Sequence, residues 1–307
     1  MSITMHPLTN EQDILRIFDL RRACTTPENV PDYPTVSDLR EVLAPATRDK
    51  YLVQLWESTD NMVLAFGIVD TAFCNLYWYA HPEQDGNTLE SDIISWASEQ
   101  IRTIGEQQNR QVALDVSCRE NDSLRRALLE QQGFIRQKEQ TLRMQRSLAE
   151  PVPVPQLPEG FTVHQLSEKQ DIKAYVALHR EAFGTSHMTV EHRLAIMSNP
   201  DYRPELDVVA VAPDGTLAAF CVCNINTETN AQSRQQEGEI GIIGTRPAYR
   251  NMGLGQIMLL EGLQRLKACG MSTAWLGTSS SNASAIRLYE SIGFRVATRI
   301  LWYSKMI

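Results

Sequence analysis

The chain has 307 residues, of which 43% are hydrophobic and 21% charged, and its formal net charge is −8. This composition is ordinary for a globular protein, and the length is sufficient for two separate cores. The negative net charge argues against non-specific binding to nucleic acid or to an anionic membrane surface. We therefore expect no nucleic-acid partner and no membrane association.

The first half of the chain alternates predicted helices and strands. Helices are predicted where apolar residues recur at helical spacing, and strands where apolar runs are short or alternate with polar residues. The predicted helices are a segment ending near residue 23, Ser37–Leu43, Leu89–Ile104 and Ser123–Gln131. The predicted strands are a short one near Ile3, Tyr51–Trp56, Met62–Asp70, Leu76–Tyr79, Gln111–Val116 and Phe134–Met144. A hairpin between two of these strands makes the sheet mixed.

Four closely spaced prolines follow, at positions 151, 153, 155 and 158. They favour an extended linker, because proline cannot continue a helix. We therefore predict a first domain of residues 1–148, a linker of residues 149–160 and a second domain of residues 161–307.

The second half repeats the order of the first. Its predicted strands are Phe161–Leu166, Leu206–Val211, Leu217–Ile225, a run beginning at Glu239, Thr273–Gly277 and Phe294–Tyr303. Its predicted helices are Asp171–Phe183, Val190–Ser198, Leu254–Lys267 and a short segment after Asn282. The pairs Gly133-Phe134 and Gly293-Phe294 align the two halves. We predict a tandem duplication of an α/β domain, each copy a mixed, mostly antiparallel twisted sheet flanked by helices.

The loop before the Leu254 helix has the composition of an anion site. A glycine-rich helix start presents unpaired N–H groups and the positive end of the helix dipole, which suit a phosphate or pyrophosphate. Glycine lets an anion approach the main chain, and arginine adds a cation at the rim. An ordinary flexible loop before a core helix is the alternative. The predicted anion-binding residues are Arg250, Asn251, Met252, Gly253, Leu254, Gly255 and Gln256.

A second motif follows about forty residues later, in the capped helix that runs from Asn282 to Gly293-Phe294. Together the two motifs resemble the GNAT superfamily of acetyl-CoA-dependent N-acetyltransferases. The two-copy layout resembles the tandem members of that superfamily, of which mycothiol synthase is one. The resemblance implies that acetyl-CoA is the co-substrate and that Tyr289 is the general acid. It also implies that the cofactor lies against the main chain of Ile243, Gly244 and Thr245 and near Asn282 and Ser284.

Acetyl transfer to an amine requires a general base. A lysine-like amine, with a pKa near 10.4, is about 3.4 units from neutrality at pH 7, which costs about 4.6 kcal/mol. Glu239 is our candidate base, because alternation along the strand places it on one face with Gly241 and Ile243. Glu237 is the reserve candidate. The alternatives are a solvent-facing acid for Glu239 and a core aromatic for Tyr289.

The first copy lacks these features. In the register set by the repeat, the second copy's Arg250, Gly253, Gly255 and Tyr289 are replaced by Asp85, Thr88, Glu90 and Leu129. A carboxylate at the place of a cation repels phosphate. We predict that the first copy has no productive acetyl-CoA site and serves as a scaffold or substrate wall.

The predicted function is acetyl transfer from acetyl-CoA to the primary amine of a small molecule or an amino terminus. The alternative is a non-catalytic acyl-CoA-binding regulatory module, and a protein-lysine acetyltransferase is disfavoured because no peptide-reading module is evident. A substrate pocket is expected along Asp171–Ser198, although ordinary packing is the alternative for each side chain. The pocket candidates are Phe183, His187, Met188 and His192.

The scattered cysteines and histidines, and an N-terminus without a signal-peptide layout, indicate reduced thiols and no metal in a cytoplasmic protein. We expect a monomer or a homodimer.

Overall fold

A computed structural model describes residues 3–26, 34–45, 47–81, 86–166 and 171–307. The chain divides into two compact units, the first formed by Met1–Thr141 with Thr298–Ile307 and the second by Leu142–Ala297. Asp85, which the repeat aligns with Arg250, lies outside the described residues. Among the helices in these ranges, none combines the length and apolarity that a bilayer span requires.

The first unit is a sheet with helices on both faces. Its strands, in spatial order, are β1 (Ile3–Pro7), β2 (Tyr51–Ser58), β3 (Val63–Asp70), β4 (Asn75–Ala80), β5 (Ala113–Arg119) and β12 (Arg295–Met306). Its helices are α1 (Glu11–Cys24), α2 (Val36–Leu43), α3 (Gly86–Gln107) and α4 (Ser123–Gln131). Only the β4–β5 pair is parallel among these neighbours. One core packs α1 and α2 against the sheet, and another packs α3 and α4.

The second unit repeats this plan. β6 (Ile135–Ser147) begins in the first unit and ends in the second. The other strands are β7 (Thr162–Gln165), β8 (Asp207–Val211), β9 (Leu217–Asn224), β10 (Glu237–Thr245) and β11 (Thr273–Ser279). The helices are α5 (Asp171–Phe183), α6 (Val190–Met197), α7 (Thr227–Ser233), α8 (Leu254–Ala268) and α9 (Ala283–Ser291). The strand order is β6-β11-β10-β9-β8-β7, with β10–β11 parallel and the β7-to-β10 pairs antiparallel.

The predicted fold class is confirmed, and the two copies agree in detail. Asp122 and Asn282 cap α4 and α9 through their side chains. Each helix ends at a glycine with positive φ, 81° at Gly133 and 96° at Gly293, a conformation that glycine adopts without strain. α7 was not predicted, because its sequence Thr-Glu-Thr-Asn-Ala-Gln-Ser has no apolar periodicity.

The C-terminal strand lies in the first unit from Thr298 onward, whereas the predicted second domain extended to Ile307. Residues Ile300–Met306 pair antiparallel with β5. Leu301 is 2% exposed and Tyr303 fully buried in the core of α3 and α4. An alternating apolar pattern shows which face of a strand is buried but not which strand it will join.

Leu301→Ala should lower the free energy of unfolding of the first unit by about 2–5 kcal/mol, because it opens a cavity in a closed core. Urea unfolding followed by tryptophan fluorescence reports mainly on this unit. Four of the five tryptophans lie in it, namely Trp56, Trp78, Trp96 and Trp302.

Met306→Ala is the matched control, since Met306 lies on the same strand but is 62% exposed. Its effect should stay within about 0.5 kcal/mol. Equal small effects of the two substitutions would contradict the burial of β12 in the first unit.

Candidate functional site

β10 and β11 are paired over only part of their length. Their parallel register runs from Glu237 opposite Thr273 to Ile240 opposite Leu276. On its other edge, β10 stays paired with β9 as far as Thr245. Beyond Ile240, the edge of β10 that faces β11 therefore has no strand partner in the described sequence. Unpaired main-chain groups of this kind can bind an extended ligand in the manner of an added strand.

A β-bulge marks the point of separation. The register of β10 against β9 shifts between Ile240 and Ile242, so the bulge lies at Gly241. Ile240 and Ile243 consequently pack into one core, and Ile242 into the core on the opposite face. The expectation that Ile243 shares a face with Glu239 and Gly241 is therefore wrong, because the bulge breaks the alternation on which it rested.

The loop that follows presents a row of main-chain amides. Asn251 and Gly253 have positive φ, 64° and 79°, and Gly253 is the N-cap of α8. The first helical hydrogen bond runs from the Ile257 N–H to the Gly253 carbonyl at 3.1 Å. Within the described residues, the N–H groups of 251–256 donate to no protein acceptor. With the positive end of the α8 dipole, these amides can bind an anion.

The two arginines of this loop contact α5. An Arg250 guanidinium N–H donates to the Ala182 carbonyl at 2.9 Å, at the end of that helix. Arg246 forms an ion pair with Glu181 at 3.3 Å. Arg250, predicted as the cation at the rim of the anion site, is thus exposed and also holds the loop to α5. Its role toward a ligand stays a prediction.

The strand end, the helix start and α9 meet at Gly255. A Cβ on Gly255 would lie 3.9 Å from the Thr245 hydroxyl oxygen and 3.8 Å from Leu288 Cδ2. Gly244 is packed more tightly, because a Cβ there would come within 2.5 Å of the Phe220 ring. Any larger residue at 244 would push the end of β10 away from its support. Packing thus explains the glycine without a ligand role.

Glu239 forms an ion pair that the sequence analysis missed. Its Oε1 accepts a hydrogen bond from Arg143 Nη1 at 2.5 Å, and Oε2 has no partner among the described residues. The Glu239 side chain is 41% exposed. Arg143 also lies over the Trp275 ring, 5.8 Å from its centroid. In the sequence, Arg143 could have been found only as a charged residue between two apolar ones, Leu142 and Met144, which are buried on β6.

Tyr289 combines core packing with an accessible hydroxyl. The residue is 7% exposed, and its ring lies 6.2 Å from that of Phe294. Burial, and secondarily the Cys221 thiol, raise the pKa of the Tyr289 hydroxyl. That hydroxyl forms no hydrogen bond to the described residues. Its oxygen is not fully enclosed, so it remains accessible from outside the core. A phenol that stays protonated at neutral pH is a possible proton donor.

Four of the remaining predicted ligand contacts lie at exposed positions, whereas the Leu254 side chain is 1% exposed and packs in the core. The Asn282 side-chain oxygen accepts hydrogen bonds from the Ala285 N–H at 3.2 Å and from the Ser284 hydroxyl at 3.0 Å. These contacts form the N-terminal cap of α9. Met252 and Gln256 are also exposed. The contacts of these four side chains with a ligand stay predictions.

The pocket expected along α5 and α6 stays a prediction, and its candidate residues lie in different environments. Met188 is buried at 8% exposure with Ile172 and Val176, whereas Phe183 is 44% exposed. The notable residue is one we did not predict, His179, which lies 4.9 Å from the Phe183 ring and 5.7 Å from the Phe220 ring. His179 thus packs against Phe220, whose ring lies behind Gly244. Across the described ranges, no three His, Cys, Asp or Glu side chains are arranged to hold a metal ion.

The corresponding helices of the first unit are built differently. Glu90, in the first turns of α3, accepts a hydrogen bond from the Trp78 indole at 2.9 Å and pairs with Arg125 at 3.3 Å. Leu129 is fully buried and its carbonyl accepts the Phe134 N–H, as the Tyr289 carbonyl accepts that of Phe294. The first unit therefore has a carboxylate near the start of α3 and no hydroxyl where Tyr289 lies in the second.

Residues 161–294 match the model of the acetyltransferase (GNAT) family. Mycothiol acetyltransferase from Thermobispora bispora is 33% identical over 50% of this chain and 52% of its own length. Mycothiol acetyltransferase from Kineococcus radiotolerans is 34% identical over 58% of this chain and 57% of its own. The chain thus spans about half the length of the curated relatives it matches.

Solved structures extend the likeness to the whole chain. A GCN5-related N-acetyltransferase from Sphaerobacter thermophilus has 25% identity and a TM-score of 0.66, covering 99% of this chain and 95% of its own. A tandem GNAT protein from the clavulanic acid biosynthesis pathway has 16% identity and a TM-score of 0.71, covering 99% of this chain and 98% of its own. At that identity, the second comparison shows the shared tandem fold.

The free energy of unfolding of the second unit should decrease as the pH is lowered, because of His179. Burial, followed by the charges of Arg193 and His192, lowers the pKa of His179 from 6.5 to about 4. Between these values the unfolded chain binds a proton that the folded chain does not, so stability is lost as the pH falls from 6.5 toward 4. His179→Gln should flatten this dependence by up to about 3 kcal/mol.

Urea unfolding followed by circular dichroism across this pH range measures the effect. His164→Gln is the control, because His164 is exposed on β7. If the two variants keep the same pH dependence as the unmodified chain, His179 is not the group responsible.

Proposed function

We propose that the second unit transfers an acetyl group from acetyl-CoA to the primary amine of a small molecule or an amino terminus. The observation that carries the proposal is the unpaired edge of β10, which is followed, after the hydrogen-bonded turn of residues 246–250, by the unpaired amides of residues 251–256. An amide-containing arm can pair with the strand edge, and a diphosphate can accept hydrogen bonds from the loop amides. Acetyl-CoA combines these two parts, so the residues present fit this co-substrate.

Individual groups would hold it as follows. The main chain of Ile243, Gly244 and Thr245 would pair with the pantetheine arm. The residues of the loop, Arg250, Asn251, Met252, Gly253, Leu254, Gly255 and Gln256, would surround the diphosphate. Asn282 and Ser284 would lie near the CoA that leaves after acetyl transfer.

The chemistry then requires proton transfer at both Glu239 and Tyr289. Glu239, directly or through one water molecule, removes a proton from the ammonium form of the acceptor, and the neutral nitrogen forms a bond to the thioester carbonyl carbon. The carbon–sulfur bond breaks, and the sulfur takes a proton from the Tyr289 hydroxyl. The second nitrogen proton then passes through water to the Tyr289 phenolate, and Glu239 releases its proton to solvent. Arg143 positions the Glu239 carboxylate through Oε1 and leaves Oε2 toward the acceptor.

The acceptor is proposed by class only. The curated relatives are named for mycothiol, and the chain spans about half their length. Their name supports a small-molecule acceptor. A non-catalytic acyl-CoA-binding module is the second candidate, but such a module needs neither Glu239 nor Tyr289.

Gly253→Ala should weaken CoA binding by at least about tenfold. A residue with a Cβ at φ 79° costs about 1–2 kcal/mol, and relief of that strain would turn the neighbouring amides away from the diphosphate. Isothermal titration with CoA measures the affinity.

Gly270→Ala is a matched control at the other end of α8. Its φ is 83°, and like Gly253 it has no atom within 4 Å of an added Cβ, so the strain is similar but far along the helix from the loop. A similar loss of affinity in both variants would indicate general destabilisation and contradict the anion site.

Glu239→Gln and Tyr289→Phe should each lower kcat by about 10²–10⁴ and change the acetyl-CoA KM little, because each removes a proton-transfer group rather than a binding contact. Release of the free CoA thiol, measured over a panel of small amines, reports turnover.

Glu237→Gln is the control on the same strand. If it lowers kcat more than Glu239→Gln, the base is Glu237. Unchanged turnover in both Glu239→Gln and Tyr289→Phe would eliminate this mechanism, and CoA binding without turnover on any amine would favour the binding module.

A further inference from the structure

A cavity of about 310 Å³ lies in the first unit, between α2 and the sheet. This volume falls at the lower end of the about 300–1,000 Å³ that small-molecule sites occupy. Leu39 of α2 and Ile68 of β3, which are 2% and 3% exposed, form part of its apolar floor. We call it the first-unit cavity.

Aromatic side chains from three adjacent strands form its wall. They are Tyr51 on β2, Phe66 on β3, and Tyr77 and Tyr79 on β4. Phe66 is paired with Tyr79 across the strands, and their rings stack with centroids 4.9 Å apart. Tyr79 is 3% exposed and Tyr77 is 37% exposed, so the wall extends from the core to the surface.

Among the described residues that line the cavity, the charged side chains are two carboxylates, Asp38 of α2 and Asp70 of β3. Asp70 Oδ1 accepts the N–H groups of Ala72 and Phe73 at 2.9 and 3.1 Å, and its Oδ2 has no partner among the described residues. One Asp70 oxygen therefore anchors the carboxylate while the other is available. Arg21 donates to the Pro34 carbonyl at 3.1 Å and does not line the cavity.

Burial keeps two of the tyrosine hydroxyls in the wall protonated. Burial raises the pKa of Tyr51 to about 12, and the Asp70 charge directly opposite adds to the effect. Burial also raises the pKa of Tyr77, with a further contribution from Asp70. Both rings stay neutral at physiological pH, and their faces remain electron-rich.

We propose that the first-unit cavity binds a small organic cation that carries an alkylammonium or quaternary ammonium group. Aromatic faces attract such a cation by cation–π interaction, and this arrangement is a known solution for quaternary ammonium ligands. The carboxylates offset the loss of hydration that the cation undergoes. An anion would meet two carboxylates, and a neutral apolar ligand would gain nothing from them. The proposal does not depend on acetyl transfer by the second unit.

Isothermal titration of the full chain with choline, without acetyl-CoA, tests the proposal. The control ligand is neohexyl alcohol, in which a carbon atom replaces the choline nitrogen without changing the shape. Choline should bind saturably, and neohexyl alcohol should bind at least about tenfold more weakly because it lacks the charge.

Asp70→Asn should weaken choline binding by about tenfold and leave neohexyl alcohol unaffected. The asparagine oxygen can still accept the Ala72 and Phe73 N–H groups, so the turn should be retained. Asp60→Asn, at an exposed carboxylate on the β2–β3 hairpin, should leave choline binding unchanged.

Tyr77→Leu provides a second variant at a half-exposed position, and it should weaken choline binding about threefold or more. Thermal unfolding of each variant verifies folding. Absence of saturable choline binding, equal binding of the neutral alcohol, or an Asp70→Asn effect no larger than that of Asp60→Asn would overturn the proposal. None of these results would alter the acetyl-transfer proposal.

Discussion

The second unit depends on the separation of β10 from β11 beyond the Ile240–Leu276 pair. A buried strand normally satisfies its main-chain groups on both edges, so an edge left open inside a unit requires support. β9 supplies hydrogen bonds on the far edge, and Phe220 with α5 supplies packing behind Gly244. The bulge at Gly241 and the amides before α8 are useful only because that support holds the strand end in place.

Duplication produced two copies that share a backbone plan and differ in charge. The α4 and α9 segments have the same caps and the same glycine ends. The side chains around them differ. In the first copy Glu90 contacts Trp78 and Arg125, whereas the second copy has the glycine-containing loop before α8. The first unit instead has a cavity of aromatic rings and carboxylates, between its second helix and its sheet. The same backbone plan thus carries different side chains in the two copies.

Much of the fold and part of the candidate site could be predicted from sequence. The GNAT resemblance, the tandem arrangement and the Gly253 loop rested on motifs a few residues long. The face assigned to Ile243 was wrong, because a one-residue bulge reverses the alternation and leaves no clear local signal. Arg143 was missed because its partner Glu239 is 96 residues away, and His179 because its burial against Phe220 depends on the packing of α5 on the sheet.

The sequence by itself determined the features that depend on neighbours along the chain. Helix caps at Asn282 and Asp122, the positive φ of Gly253 and the periodicity of the helices are set by backbone sterics and local hydrogen bonds. Only the tertiary structure decided that β12 completes the first unit's sheet and that Arg143 meets Glu239 across 96 residues. The same holds for the first-unit cavity, which combines one helix and three strands. The reason is physical, because such contacts depend on which surfaces pack together, and an apolar pattern does not encode its partner.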